Sequence, residues 1–263
     1  MRVVAYLLAS LACAGLASPA MAAPEQKFRT EYSIIAFGLP VAQTSFETSI
    51  GERSYAMNGS LRTVGLVQVF AATKGSINAS GSFSDSRISA QSFAMRYTSG
   101  DKTKRTDIGF SRGNVTSSTS VPPPKAVKAP DWVPVSSAHL RGVTDPISAL
   151  VIPARNSGEV CRRTLRVYDG EMRVDIKLSY LRTIPFSTKG FKGDAVTCSG
   201  RFVPVSGYPK GKKEIRQLRD TGRIEVSFAP IAETGLYAPV SARIRTSSGT
   251  FSVRASRFEA LTR

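Results

Sequence analysis

Strict alternation of apolar and polar residues over residues 171–181 constrains the fold of this chain more than any other feature of its sequence. The apolar members are Met172, Val174, Ile176, Leu178 and Tyr180. Successive side chains of an extended strand point to opposite faces, so the pattern predicts a strand with one face on a core and one in water. Asp169-Gly170 is typical of a tight hairpin turn, and we expect Thr164–Tyr168 to be the partner strand.

The same two-residue period recurs along most of the chain. Three alternating segments between residues 223 and 256 predict an antiparallel meander near the C-terminus. Near the other end, residues 28–37 and 41–50 flank Gly38-Leu39-Pro40 and predict a hairpin. Further strands are predicted over residues 54–63, 75–83 and 91–98.

Signals for helices and breaks are few. Asp145 is suited to cap a first turn and Pro146 to begin it, which predicts a helix of at most two turns near residues 146–151. Residues 64–72 are ambiguous between a short helix and a strand. Residues 116–134 contain five prolines and predict a long loop. The flanks of this loop look like halves of one sheet system, although the loop could also divide two domains.

These patterns predict a single all-β domain over residues 23–263. We expect a strongly curved antiparallel sheet or an open β-barrel, with one or two short helices. A curved sheet lined by the apolar faces of its strands encloses an interior, and that interior either is filled by side chains or holds a ligand.

The first 22 residues have the features of a secretory signal peptide. Arg2 precedes an apolar run over residues 3–16, and Ala20-Met21-Ala22 supplies the small residues of a cleavage site. The run is about 14 residues long, whereas a membrane-spanning helix needs about 20. Cleavage after Ala22 predicts an exported, periplasmic protein. The alternatives are an uncleaved anchor and lipidation at Cys13.

Two cysteines remain after cleavage, Cys161 and Cys198. An even pair in an exported protein predicts a disulfide, the alternative being two separate buried thiols. Closing this loop would stabilise the fold by roughly 4 kcal/mol in the chain-entropy model. The spacing of the pair and the lack of nearby histidines do not suit a metal site, so we expect no metal.

No residue pattern predicts catalysis or a cofactor. His139 is the only histidine, and its neighbours form no nucleophile motif. Asp145, Asp169 and Asp175 are explained by a cap, a turn and an exposed strand face, although two carboxylates brought together by folding would suit a glycan hydrolase. Residues 207–213 contain glycine and lysine without the order of a phosphate-binding loop, so they predict a basic surface loop.

The chain carries a formal net charge of +17, or about +16 without Arg2. Such a charge favours anionic partners, and export makes lipid headgroups or cell-wall polymers better candidates than nucleic acid. Six basic residues on the polar faces of predicted strands form a candidate anion-binding face: Arg173, Lys177, Arg223, Arg243, Arg245 and Arg254. The alternative is a solvated face in which acids such as Asp175 and Glu225 neutralise these charges.

Several short motifs resemble one family of proteins. They are Glu31-Tyr32-Ser33-Ile34, Gly38-Leu39-Pro40-Val41, the runs at residues 144–150 and 164–170, and Pro239-Val240. Over most of residues 28–258 the chain resembles the exported bacterial proteins of domain of unknown function 3108, in a form found in alphaproteobacteria. The resemblance implies a periplasmic curved sheet or open barrel, similar to the outer-membrane lipoprotein carriers whose concave face shelters acyl chains. It supplies no catalytic residue.

Together these observations predict a non-catalytic envelope protein. We expect it to bind a lipid-like or amphipathic partner or to scaffold envelope assembly, with a lipid or an envelope protein as partner and with peripheral membrane contact. The second hypothesis is a basic module for anionic headgroups or cell-wall polymer, and the third is an envelope glycan hydrolase. No nucleic-acid partner is expected.

Overall fold

The computed structural model describes residues 25–65, 67–68, 72–124, 131–247 and 249–261. This part of the chain is mostly extended, and its strands pair antiparallel, which confirms the all-β prediction. No helix in the described ranges is both long and apolar enough to cross a membrane. The predicted signal peptide and Cys13 lie outside these ranges.

The strands form one 14-stranded sheet and a separate two-stranded ribbon. The first part of the sheet is a meander of seven strands: β1 (Gln26–Ala36), β2 (Leu39–Ile50), β3 (Ser54–Thr63), β4 (Thr73–Phe83), β5 (Ile88–Ser99), β6 (Lys102–Ser111) and β7 (Asn114–Val121). The second part contains β9 (Ile152–Pro153), β10 (Thr164–Tyr168), β11 (Arg173–Thr188), β12 (Phe191–Ser206), β14 (Arg223–Pro230), β15 (Leu236–Thr246) and β16 (Gly249–Leu261). The ribbon pairs β8 (Trp132–Val133) with β13 (Tyr208–Pro209).

The two parts join where the first and last strands meet. Strand β16 pairs with β1 from Lys27, opposite Leu261, to Ala36, opposite Phe251. The order across the sheet is therefore β10, β11, β12, β14, β15, β16, β1 and then β2 to β7, with β9 added beside β15. Because β1 and β16 are far apart in sequence, this central pairing forms only when both meanders come together.

The sheet is curled, and one segment between its two outer strands joins them. The N–H of Val143 donates to the carbonyl of Gly113, immediately before β7, at 2.8 Å. The N–H of Thr144 donates to Arg166 in β10 at 2.9 Å, and Tyr168 returns a bond to the carbonyl of Thr144 at 2.9 Å. These bonds satisfy strand-edge groups that would otherwise be open to pairing with another chain.

Two clusters of buried apolar side chains stabilise the curled sheet. The first combines residues from nearly all strands of both meanders, among them Phe28, Tyr32, Phe93, Ile108 and Phe258. The second packs residues 149–161 against the second meander and includes Ile152, Val160, Leu165, Cys198 and Phe228.

The alternating strand at residues 171–181 is confirmed as the start of β11, but its faces differ from the prediction at both ends. Tyr180 is 59% exposed instead of buried, because the register with β12 shifts between Tyr180 and Arg182. Because of this bulge, β11 contributes side chains to both clusters: Leu178 packs in the second cluster and Phe186 in the first. Arg173, predicted to be exposed, is only 5% exposed.

The helices differ from expectation in kind and place. The turn predicted near residues 146–151 is a single 3-10 turn, Ser148–Leu150. A helix that the sequence analysis missed, α1 (Lys213–Asp220), follows the ribbon. It is short and mostly charged, and its Leu218 packs on the second cluster, so tertiary contact makes up for a weak local signal. Part of the predicted basic loop at residues 207–213 is therefore the strand β13 and the start of α1.

The loop predicted over residues 116–134 begins too early. Residues 116–121 belong to β7, the last strand in the sheet order. All five prolines follow Val121, so they end this edge strand instead of interrupting it. Residues 125–130 of the loop lie outside the described ranges, as do residue 66 and residues 69–71 of the ambiguous stretch.

Candidate functional site

An apolar cavity of about 310 Å³ lies between the two meanders. One wall is formed by β1 to β4 and the other by β14 to β16, and residues 147–151 cover it. All lining residues are uncharged, and most are aliphatic or aromatic, including Phe28, Phe46, Met57, Leu61, Leu150 and Val253. The interior of the curled sheet is therefore not completely filled by side chains.

Small residues on the inner faces explain why space remains. The ring of Phe46 in β2 lies across Gly59 in β3, where an added Cβ would be 2.4 Å from a ring atom. Thr30, Thr44 and Thr48 occupy inner positions where larger apolar residues would fill the interior. Because protein cores are close-packed, space left between these inner faces is a specific feature and not the default outcome of folding.

The polar groups of the cavity wall are paired or uncharged. The hydroxyl of Tyr32 donates to the carbonyl of Pro239 at 2.8 Å. Burial raises the pKa of Tyr32 to about 12, so the phenol stays neutral at physiological pH. A wall without charge and without an unpaired phenol favours an apolar occupant over water.

The cover of the cavity is anchored by a buried polar network. Asp145 is fully buried, and its Oδ1 accepts the N–H groups of Ile147 at 2.9 Å and Ser148 at 2.8 Å. The hydroxyl of Tyr55 in β3 donates to Oγ of Ser148 at 2.7 Å. Burial raises the pKa of both the Asp145 carboxyl and the Tyr55 phenol. These bonds hold Ile147 and Leu150 over the cavity.

Exposed apolar side chains continue the inner face at one end of the cavity. Ile34 and Val253 are opposite each other in β1 and β16 and line the cavity, and the next inward pair is Ala36 and Phe251. Phe251 belongs to a group of exposed residues at this end that we call the apolar tip: Phe37, Leu39 and Phe251. These residues are 64%, 56% and 42% exposed, respectively.

The apolar tip has a defined geometry. The rings of Phe37 and Phe251 meet edge to face with centroids 5.3 Å apart. Phe37 and Gly38 have φ values of 53° and 82°, which give the tight turn that joins β1 to β2. At Gly249 an added Cβ would be 2.4 Å from the Phe37 ring. The turn conformations therefore hold these aromatic side chains in an exposed position.

Four of the six predicted anion-binding residues lie on one exposed face. Arg223 is directly opposite Arg245, and Arg243 is opposite Glu225. Lys177 is opposite Arg201, which the sequence analysis did not include. A two-residue period places residues on a face but does not show which strands are neighbours. Arg201 could therefore be added to this face only from the register between β11 and β12.

Glu225 partly neutralises this face. Its carboxylate accepts hydrogen bonds from Arg182 at 2.7 Å and Arg245 at 2.8 Å, and these contacts lower the pKa of Glu225. The remaining two predicted residues, Arg173 and Arg254, have different surroundings. Arg173 is buried and ion-paired with Asp175, and the Arg254 guanidinium lies 4.8 Å from the centroid of the Phe186 ring.

The two cysteines form a disulfide that joins the segment before β10 to β12. The Cα atoms of Cys161 and Cys198 are 5.4 Å apart, and both side chains are almost fully buried in the second cluster. The bond therefore ties the segment before β10 to the sheet, and solvent reaches it only when the cluster opens.

Residues considered for catalysis have local structural contacts. His139 lies in a 3-10 turn, and its Nδ1 accepts the N–H of Ser136 at 3.2 Å. Oδ1 of Asp169 accepts the N–H groups of Glu171 and Met172 in the predicted hairpin turn. In the part of the chain that the structure describes, no group of three or more metal-ligand side chains is found.

The match to a known protein family covers nearly the whole sheet. The family model described as Protein of unknown function (DUF3108) matches residues 27–256, which span β1 to most of β16. The chain belongs to this family. No curated protein matches this DUF3108 chain.

Two solved structures are similar to this DUF3108 protein at low sequence identity. A β-barrel-like protein of domain of unknown function DUF1849 from Brucella abortus is 9% identical, with 90% of this chain and 98% of that chain covered and a TM-score of 0.48. A predicted lipoprotein from Parabacteroides distasonis is 10% identical, with coverages of 89% and 95% and a TM-score of 0.34.

Proposed function

We propose that this DUF3108 protein is a non-catalytic envelope protein that binds the apolar part of a lipid-like or amphipathic molecule in the cavity between its two meanders. The uncharged cavity of about 310 Å³ carries the proposal. Its volume is at the lower end of the range for small-molecule sites, about 300–1,000 Å³, and suits one short alkyl chain.

The apolar tip supports a route into the cavity. Val253 lines the cavity and Phe251 precedes it on the same face of β16, so an alkyl chain entering at the tip would stay in contact with apolar surface. Each methylene moved from water into the cavity contributes about 0.8 kcal/mol. Affinity should therefore rise roughly 15-fold for every two methylenes until the cavity is full.

Displacement of a fluorescent fatty acid by straight-chain alcohols tests the proposal. The purified protein is titrated with alcohols of increasing length, and mass spectrometry of detergent-free protein identifies copurifying lipid. Ala242→Phe fills the cavity from β15 and should abolish binding, while Ala56→Phe adds the same ring at an exposed position of β3 and should not. Equal binding by both variants, or no binding of any alcohol with no copurifying lipid, would contradict the proposal.

The location of the protein belongs to the same proposal. A periplasmic carrier needs export, which the features of residues 1–22 support. Cell fractionation should place the protein in the periplasm, with Ala23 as the first residue of the mature chain. A cytosolic protein that retains Arg2 would contradict this part.

A second candidate function is docking on an anionic membrane surface, which the position of the apolar tip favours. Phe251 is paired with Ile244, and Ile244 lies between the exposed Arg243 and Arg245. Each basic residue near an anionic surface contributes about 1 kcal/mol. Phe37→Ser with Leu39→Ser should reduce cosedimentation with vesicles containing anionic lipid, and salt should weaken it further. Unchanged cosedimentation would exclude the tip as the docking surface.

A further inference from the structure

A second concave site lies on the other side of the segment that covers the apolar cavity. It is a cleft of about 520 Å³, and Val151 of the cover segment lines both spaces. Residues 142–152 form one side of the cleft, and three arginine-containing regions form the rest: the β4–β5 turn, the β6–β7 turn and the residues around the start of β10. We call the site the arginine cleft, after Arg87, Arg112, Arg163 and Arg166.

The charges of the arginine cleft are not balanced within it. No acidic residue lines the cleft, and none of its four arginines forms an ion pair within the described ranges. Elsewhere in the structure arginines such as Arg155 and Arg257 do have carboxylate partners. Two acids flank the site. Asp85 comes immediately before the lining residues in the sequence. The charge of Glu159 interacts with Arg163, but the Glu159 carboxylate is ion-paired with Arg155.

One arginine of the cleft is fixed by the fold. The Arg163 guanidinium donates to the carbonyls of Val160 at 3.1 Å, Pro153 at 2.9 Å and Glu159 at 3.2 Å, and it is half-buried. A positive charge held by neutral carbonyls remains uncompensated. Concave sites lined by one sign of charge concentrate counter-ions, and guanidinium groups bind carboxylate and phosphate oxygens in pairs.

The floor of the cleft combines apolar surface with an unpaired hydroxyl. Ile88, Val143 and Leu165 line it, so part of a ligand there would meet apolar groups. Thr144 also lines it, and its buried Oγ1 has no hydrogen-bond partner in the described structure. Because this oxygen is buried beneath the floor, a ligand in the cleft contacts the apolar groups and the arginines and not this hydroxyl.

We propose that the arginine cleft binds a small organic anion, in which a phosphate or carboxylate group is attached to a short apolar body. The arginines bind the anionic group, and the floor binds the apolar body. The inference does not depend on the apolar cavity, because the two sites lie on opposite sides of the cover segment. The anion can be free in solution or belong to a lipid headgroup, and both sources share this chemistry.

Calorimetric titration of the full purified chain with hexyl phosphate, hexanol and inorganic phosphate tests the proposal. Hexyl phosphate should bind more tightly than either of the other two probes, because only it has both parts. Arg112→Gln with Arg166→Gln should weaken hexyl phosphate binding at least about tenfold. The matched control, Arg53→Gln with Arg96→Gln, removes the same charge from exposed residues outside both the cleft and the predicted anion-binding face and should change the affinity less than about twofold.

The outcomes separate this site from the apolar cavity and from net charge. Equal weakening by both arginine pairs would show that only net charge matters and would overturn the proposal. Loss of hexyl phosphate binding in Ala242→Phe would place the ligand in the cavity and also overturn it. Equal affinities for inorganic phosphate and hexyl phosphate would show that the apolar body of the ligand does not contribute to binding. The ligand would then be a free inorganic-type anion, and the proposed contact with the floor would be wrong. Thermal unfolding of each variant confirms that it is folded.

Discussion

Reduction of the disulfide between Cys161 and Cys198 should strongly destabilise the protein while leaving its fold intact. The bond closes a loop with a sequence separation of 37. In the chain-entropy model such a loop restricts the unfolded chain by about 13 cal/mol/K, which is about 4 kcal/mol at 25 °C. For a chain of this size that corresponds to a fall in melting temperature of roughly 8–16 °C.

Equilibrium unfolding in urea, followed by circular dichroism and by the fluorescence of Trp132, measures this difference. Oxidised and reduced protein are compared with identical side chains, because replacing buried cysteines would add the cost of cavities to the cost of the lost bond. Reduction is carried out in urea, since both sulfurs are buried in the second cluster. With a slope near 3 kcal/mol/M, the midpoint should fall by about 1.3 M.

The control is the double variant Cys161→Ala with Cys198→Ala, whose midpoint should not respond to the reductant. Without urea, the oxidised protein should react with reductant only as fast as the second cluster opens. Identical midpoints for oxidised and reduced protein would refute the entropic argument. Two free thiols in alkylated, freshly exported protein would refute the disulfide itself.

Two further predictions concern the cavity and its cover. Gly59→Ala should displace the Phe46 ring and cost about 1–3 kcal/mol in urea unfolding, whereas Asn58→Ala at the neighbouring exposed position should not. Burial raises the pKa of Asp145, so the folded chain retains a proton that the unfolded chain releases. The associated stability is present below the ordinary aspartate pKa and is lost as pH rises through the folded value. Asp145→Asn should remove this part of the pH dependence above the ordinary aspartate pKa, and an unchanged profile would exclude Asp145 as its source.

Local patterns predicted the strands well, because alternation is a property of a few consecutive residues. The hairpin around Gly38 and the start of β11 followed from such patterns. The errors occurred where a non-local contact changed the local pattern. Tyr180 is exposed because of a bulge against β12, and α1 is stabilised through Leu218 by packing on the second cluster.

The candidate sites were predictable only in part. The apolar faces of the strands indicated that the sheet encloses an interior, but not that the side chains leave part of it empty. The arginine cleft had no sequence signal, since Arg87, Arg112 and Arg166 are on separate turns and strands whose proximity depends on how the sheet curls. Among the predicted basic residues, Arg173 is buried and ion-paired with Asp175, which the alternation of residues did not predict.

The sequence by itself determined that the chain forms antiparallel β-strands, which residues of most strands share a face, and which two cysteines lie outside the predicted signal peptide. The tertiary structure decided that β16 pairs with β1, that residues 141–144 join the outer strands, and that a cavity and an arginine-lined cleft lie on either side of one cover segment. The physical reason is the distance along the sequence over which the residues interact. A two-residue period depends on neighbouring residues, whereas curvature, bulges and the space inside a sheet depend on side chains brought together from distant parts of the chain.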